Sequence, residues 1–174
     1  MATATLPSTA EIWRWLGEVP DPEIPVISVV DLGIIRAVRW EGDRLVVTVT
    51  PTYSGCPATA VINLEIERAL REKGIVKLKL ERQLSPAWTT DWISAEGREK
   101  LRRYGIAPPA DGTAIDGVLR QRSERLSGRA DPIVACPQCG STKTEKISQF
   151  GSTPCKASYR CTDCLEPFDY FKCI

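Results

Sequence analysis

The sequence contains no histidine, and this absence excludes several kinds of site. A cysteine protease needs a base beside its thiol, and histidine is the residue that usually serves. Di-iron bundles carry Glu-x-x-His pairs, and many zinc sites combine cysteine with histidine. A site for a soft metal in this chain must therefore be built from thiolates.

Long hydrophobic runs and an excess of charge are also missing. The longest apolar run, residues 24–30, is broken by Pro25 and is too short to cross a bilayer. Lys and Arg number 23 against 22 Asp and Glu, so the total charge favours neither nucleic acid nor an anionic membrane. The N-terminus, MATATLPSTA, lacks the basic flank and apolar core of a signal peptide. We therefore expect a cytoplasmic protein, whose seven cysteines are metal ligands or reactive thiols rather than disulfides.

The order of the periodic segments predicts an α+β fold, with a small three-stranded mixed sheet packed with helices. A capped helix begins at Ser8 or Thr9, and IIRAVRW and RLVVTVT, joined by EGD, form an antiparallel hairpin. Helical periodicity then runs from Pro57 to Gly74, and IVKLKLERQ alternates as a strand. A strand, a helix and a strand in this order make a right-handed crossover, which adds a parallel third strand.

The length suits one main domain and a smaller appendage. We predict a first α/β domain over residues 1–106, which includes a short helix from about Ser94 to Tyr104 closed by Gly105. Residues 107–132 are polar and low in large apolar side chains, apart from a short helical pattern in VLRQRSERL, so they are predicted to be a linker. Residues 133–174 form the appendage.

Two Cys-x-x-Cys pairs in the appendage carry the strongest chemical signal of the sequence. They are Cys136 with Cys139 and Cys161 with Cys164, and 21 residues separate the inner cysteines. At this separation four thiolates can converge tetrahedrally on one ion, as in a zinc ribbon, and leave no open position for a substrate. We therefore expect a structural zinc. Iron also suits four thiolates, so a rubredoxin-like electron carrier is the competing interpretation.

The surroundings of these cysteines favour a protein-docking ribbon over a nucleic-acid ribbon. Residues 133–174 carry five basic and four acidic side chains, and bound thiolates make the balance negative, which is a poor fit to phosphate. Gly140 suits the tight turn of the first knuckle. Leu165 stands at the corresponding place in the second, which we expect to be less standard. The core of the ribbon is predicted to be aromatic: Phe150, Tyr159, Phe168, Tyr170 and Phe171.

A further cysteine, Cys56, lies where strand-like residues give way to helix-like ones in TPTYSGCPATA. Because proline is favoured at the first helical position, Pro57 predicts that Cys56 is the N-cap residue. Helix N-termini favour the thiolate form of a cysteine, which suits a nucleophile or a soft metal ligand. The alternative is a small N-cap residue packed under the sheet. Two cysteines remain, Cys155 and Cys173, and both are typical of ordinary buried or surface thiols. For Cys155, which lies between proline and lysine, a reactive thiolate is the alternative.

The N-terminal half resembles the SufT-like family of iron–sulfur assembly factors. Two segments carry the resemblance through an Asp-Pro-Glu loop and a Gly-Cys-Pro turn, namely DPEIPVISVVDLGII and VTVTPTYSGCPATAVI. Further segments make nearly the whole chain similar to the D-subunit family of bacterial phenylacetyl-CoA epoxidase systems: SPAWTTDWIS, GIAPP, CPQCGS and FGSTPCKASYRCTDCLEPFDYFKC. The cysteine-rich tail is the narrower signature, since the first two segments are shared widely in the assembly family.

The resemblance implies an accessory or maturation factor of aerobic phenylacetate degradation, which is an assembly protein rather than an enzyme. Its implied partners are the protein subunits of the epoxidase system, with the reductase that carries flavin and a [2Fe–2S] cluster as the expected client. The chain itself has neither the motifs of a di-iron bundle nor a dinucleotide fingerprint. The alternative is a non-catalytic docking subunit of the epoxidase complex. The oligomeric state is left open, with a homo-oligomer among the alternatives.

The resemblance also implies a site for a transient iron–sulfur cluster, with Cys56 as the candidate ligand. Asp21 and Glu23 would form an acidic loop near it, and Thr52 and Ser54 would hydrogen-bond the thiolate or cap the helix. Cys155 is a weaker candidate for the same cluster. One thiolate cannot hold a cluster that takes four cysteine ligands, so delivery would need a second subunit, a small thiol or the client. Without the resemblance, Asp-Pro-Glu is typical of a turn with solvated carboxylates.

Overall fold

A computed structural model describes residues 6–53, 55–109 and 133–172 of the chain. It divides the chain into a first unit, Met1–Trp88, and a second unit, Thr89–Ile174. The helical pattern in VLRQRSERL and nearly all of the predicted linker lie outside the described residues, as do Ser54 and Cys173. No helix in the described ranges is long and apolar enough to cross a membrane.

The first unit contains the predicted three-stranded mixed sheet. Strands β1 (Ile35–Glu41) and β2 (Arg44–Val49) pair antiparallel, and β3 (Leu78–Arg82) pairs parallel to β2 on its other side. The hairpin turns at Gly42, whose φ of +62° is in the left-handed region that favours glycine. Strand β2 is the centre of the sheet and is buried from Leu45 to Val49.

Two helices complete the first unit, α1 (Thr9–Leu16) and α2 (Thr59–Glu72). Helix α1 begins with a capping box, in which the Ser8 hydroxyl accepts from the Glu11 backbone and the Glu11 carboxylate accepts from the Ser8 backbone. Each helix turns a stripe of apolar residues inward, and the buried members are Ile12, Leu16, Ile62, Ile66 and Leu70. Period 3.6 in the sequence therefore predicts the buried faces correctly.

The second unit contains helix α3 (Ala95–Arg103) and a four-stranded sheet in the order β4-β7-β6-β5. The strands are β4 (Ile106–Ala107), β5 (Thr144–Ser148), β6 (Lys156–Cys161) and β7 (Pro167–Phe171). Helix α3 is capped by the Ser94 hydroxyl and ends before Gly105, as the sequence predicts. Gly105 has a φ of +90°, in the left-handed region that favours glycine after a helix.

Residues 89–106, which the sequence assigns to the first domain, group with the C-terminal segment in the structure. The physical reason is the parallel pairing of β4 with β7, in which Ile106 lies opposite Asp169 and Ala107 opposite Tyr170. This pairing spans more than sixty residues of sequence, so no local pattern near residue 106 indicates it.

The ribbon core lies on one face of this second sheet. Tyr159 and Phe168 stack with their ring centroids 5.9 Å apart, and Tyr170 meets Tyr159 edge-on at 5.6 Å. Three of the five predicted core aromatics are therefore confirmed. Phe171 is also buried, but it follows Tyr170 in β7 and so lies on the opposite face of the sheet. The prediction for Phe150 is wrong. This side chain is 64% exposed, and the Lys172 ammonium lies 4.4 Å from the centre of its ring.

Candidate metal centre and cluster-binding loop

Four cysteine sulfur atoms meet in the second unit, all within 4.8 Å of one another: Cys136, Cys139, Cys161 and Cys164. The Sγ atoms of Cys136 and Cys164 lie 3.7 Å apart, and those of Cys139 and Cys161 lie 3.6 Å apart. Metal–sulfur bonds of about 2.3 Å in a tetrahedron place the sulfurs about 3.8 Å from each other. The four side chains therefore fit one tetrahedral ion.

The protonation of these thiols depends on their neighbours. The backbone N–H of Cys164 donates to the Cys161 sulfur at 3.5 Å, which lowers the pKa of Cys161 to about 7. The backbone N–H of Glu166 acts in the same direction on Cys164, but loss of hydration and the neighbouring thiols prevail and raise the pKa of Cys164 to about 12. Since the metal must displace these protons, metal affinity rises with pH and falls on acidification.

Both knuckles turn through a residue with positive φ, which is +76° at Gly140 and +65° at Leu165. Their hydrogen bonds correspond as well. Cys136 donates its backbone N–H to Ser141 O at 2.8 Å, and Cys161 donates to Glu166 O at 3.0 Å, five residues on in each case. The expectation of a less standard second knuckle is therefore wrong for the backbone, because Leu165 adopts the conformation that glycine has in the first knuckle.

Replacing Leu165 by glycine is expected to stabilise the metal-bound ribbon by about 1 kcal/mol, because a left-handed conformation is costly for any residue with a Cβ. The leucine side chain is 60% exposed, so little buried area is lost. Thermal unfolding of the metal-loaded protein gives the measurement. Leu84→Gly is the matched control, since Leu84 is 53% exposed and Leu165 is the one non-glycine residue with positive φ in the described part of the chain. A fall in midpoint as large as that of the control would contradict the prediction.

Cys56 lies in the loop between β2 and α2, in a position that differs from the predicted one. Its backbone N–H donates to Tyr53 O at 3.2 Å, and its carbonyl accepts from Thr59 N at 3.2 Å, so two successive turns lead into the helix. Helix α2 begins at Thr59 with Ala58 as its N-cap and has no side-chain capping bond. The predictions that Cys56 is the N-cap and that Pro57 is the first helical residue are therefore wrong.

The Cys56 side chain remains accessible in this turn. It is half-buried, and its neighbours Gly55 and Pro57 are exposed. Thr52 is half-buried in the same loop. Thr50, directly after β2, is 1% exposed, and its hydroxyl has no hydrogen-bond partner within the described ranges.

The Asp-Pro-Glu loop lies between α1 and β1, also in the first unit. Asp21 is 6% exposed, and its Oδ1 accepts from the backbone N–H groups of Glu23 and Ile24, each at 2.9 Å. Its own backbone N–H donates to Ile27 O at 2.8 Å. Asp21 therefore organises its loop from a buried position, so the turn interpretation holds but the solvated carboxylate does not.

Cys155, the weaker candidate, belongs to the second unit and lies directly before β6. It is 6% exposed, and its sulfur is 3.0 Å from the Thr153 hydroxyl. The structure thus brings together the four ribbon cysteines. The other candidates lie in the Asp-Pro-Glu loop, in the Cys56 loop and at a buried position in the ribbon.

The two parts of the chain match two known protein families. Residues 9–77 match the iron–sulfur cluster assembly protein family, and this range includes Asp21, Glu23 and Cys56. Residues 120–172 match the PaaD zinc beta ribbon domain, and this range includes the four converging cysteines. The chain therefore belongs to a class of proteins in which a domain of the iron–sulfur assembly family is followed by a zinc beta ribbon domain.

Two relatives and one solved structure are similar to this chain. A protein of Escherichia coli (strain K12), named as the D subunit of a "Putative 1,2-phenylacetyl-CoA epoxidase", is 47% identical over 174 residues, which is 100% of this chain and 98% of that protein. A Fe-S protein maturation auxiliary factor of Porphyromonas gingivalis (strain ATCC BAA-308 / W83) is 37% identical over 98 residues, or 55% of this chain and 92% of the relative. A crystal structure of domain of unknown function DUF59 from Bacillus anthracis is 24% identical with a TM-score of 0.49, covering 53% of this chain and 89% of that one. The chain belongs to the D-subunit family of phenylacetyl-CoA epoxidase systems.

Proposed function

We propose that this chain is a cytoplasmic accessory factor that assists the assembly or delivery of iron–sulfur or iron centres to partner subunits of a phenylacetyl-CoA epoxidase system. Two observations support the proposal. The relative that matches the full length is named as an epoxidase subunit, and the part of the chain that matches the iron–sulfur assembly family presents an accessible cysteine.

The ribbon is proposed to hold a structural zinc. Its four sulfurs would occupy all four positions of a tetrahedral ion, which suits a closed structural site. The metal would hold together a small sheet whose buried cluster has eight residues, two of them ligand cysteines. A single iron in the same site, as in a rubredoxin-like carrier, would colour the purified protein and titrate as a one-electron centre.

Cys56 is proposed to be the protein ligand of a transient cluster, which is cargo rather than a resident cofactor. Its half-buried position in a loop with exposed neighbours supports access by a second protein. One thiolate leaves most cluster positions to the client, a small thiol or a second copy of the chain, which suits transfer better than storage. Glu23 and Thr52 would shape the site, and the buried Asp21 would act by fixing its loop. Cys155 is left out because a cluster ligand must be accessible and this side chain is buried.

The proposed client is the flavin-containing iron–sulfur reductase of the epoxidase system. A deletion strain tests this role. Reductase purified from the strain is expected to contain substoichiometric iron and sulfide and to transfer electrons slowly, and the gene supplied in trans should restore both. Reductase that emerges fully loaded and active from the deletion strain would contradict the maturation role.

A docking subunit without a maturation role is the second candidate. Two large apolar side chains of the ribbon favour it, because Ile147 and Phe150 are 59% and 64% exposed. Under this alternative the deletion strain makes fully loaded subunits that fail to assemble. Size-exclusion chromatography of the epoxidase complex, together with iron analysis of its reductase, separates the two functions.

A further inference from the structure

Asp163 lies between the two cysteines of the second knuckle, and its carboxylate reaches the segment that follows the first. The Ser141 hydroxyl donates to Asp163 Oδ2 at 2.6 Å, and the Lys143 ammonium donates to Oδ1 at 3.3 Å. Thr162 adds two bonds, since its backbone N–H and its hydroxyl both donate to Lys143 O at 2.9 Å. We call Ser141, Lys143, Thr162 and Asp163 the interknuckle clasp.

The clasp joins residues that stand next to the ligand cysteines in the chain. Ser141 lies two residues after Cys139, and Asp163 lies between Cys161 and Cys164. The sulfurs of Cys139 and Cys161, 3.6 Å apart, come from different knuckles. The bond between the Ser141 and Asp163 side chains therefore ties together the two backbone segments that carry these ligands.

The contacts of the clasp differ in strength. Lys143 and Asp163 form an exposed ion pair, with side chains 74% and 44% exposed, and such a pair contributes little. The Ser141 bond is short and charge-assisted, and Ser141 is held in turn because its oxygen accepts from Lys143 N at 3.1 Å. The bond to Ser141 is therefore the stronger of the two contacts that the Asp163 carboxylate makes across the knuckles.

We propose that Asp163 is a positioning residue of the metal site, which holds the two knuckles in register and so slows the loss of the metal. Asp163 is not itself a ligand. Its role rests on the metal site proposed above, because the clasp acts only on an ion that the four sulfurs hold. Groups that orient ligands of a metal change its affinity by about 10- to 100-fold when they are removed.

The test measures zinc release from the zinc-loaded, full-length protein to an excess of a chromogenic chelator. Asp163→Ala is expected to release zinc about tenfold faster than the wild type. Asp163→Asn, which keeps an acceptor for Ser141, is expected to fall between the two. Cobalt-substituted protein should keep the same four-thiolate spectrum in all three, which separates positioning from ligation. Asp43→Ala is the matched control, since Asp43 forms an exposed ion pair with Lys77 in the first unit.

A double-mutant cycle with Ser141→Ala identifies the contact. The two single variants are expected to act non-additively, because each removes the same bond. Additive effects would overturn the role of this bond, and wild-type release from Asp163→Ala would overturn the proposal. If Asp163→Ala holds no zinc at all, the test rests on Asp163→Asn. Zinc release from Asp163→Asn at the wild-type rate would then overturn the proposal. A wild type without metal would instead contradict the metal site itself.

Discussion

Cys139→Ala is expected to empty the metal site and to unfold the ribbon while the first unit stays folded. Removing one of four thiolates opens the site, and structural zinc contributes about 10–16 kcal/mol to the folding of small domains at neutral pH. The ribbon has a buried cluster of eight residues, two of them ligand cysteines, whereas the first unit has its own buried sheet and two amphipathic helices.

Elemental analysis of the purified wild type should find one zinc per chain, and that of Cys139→Ala should find almost none. Limited proteolysis should then cleave within residues 133–172 and spare residues 6–88. Cys155→Ala is the control, because Cys155 is a buried cysteine outside the cluster of four sulfurs. A wild type without zinc, or a Cys139→Ala variant that retains all of it, would refute the prediction. One iron per chain in place of zinc would assign the rubredoxin-like alternative.

Cys56→Ser is expected to abolish cluster binding and maturation while it leaves the fold intact. The two turns around Cys56 use its backbone groups, which serine retains, and the side chain is half-buried. The change in the free energy of unfolding should therefore be below about 1 kcal/mol. The oxygen of serine is a hard ligand and replaces the soft thiolate poorly for iron–sulfur chemistry.

Anaerobic reconstitution with iron and sulfide measures this loss, followed by transfer of the cluster to a metal-free reductase. The wild type is expected to acquire a cluster and pass it on, and Cys56→Ser to do neither. Cys155→Ser tests whether the effect is specific to Cys56. Full epoxidase activity in cells that grow on phenylacetate with Cys56→Ser would show that this cysteine is structural.

The Cys56 loop marks the limit of what a local pattern predicts. Proline after cysteine is typical of an N-cap followed by the first helical residue, yet the chain inserts one more turn and starts α2 at Thr59. The sequence places the thiol before the helix correctly, but the residue at which a helix starts depends on backbone hydrogen bonds that vary by one or two residues at helix ends. Phe150 shows a similar limit, because its exposure depends on how the hairpin between β5 and β6 closes.

Periodicity, capping and Cys-x-x-Cys spacing are local patterns, and they predict the elements of the first unit, their buried faces and the four cysteines that converge. Three features follow from the fold alone: β4 joins β7, Leu165 adopts the left-handed form and Asp163 bridges the knuckles. Each of these depends on the position of backbone that is distant in sequence or on a turn that the rest of the ribbon imposes. Such contacts are formed by packing, and no neighbouring residue type indicates them.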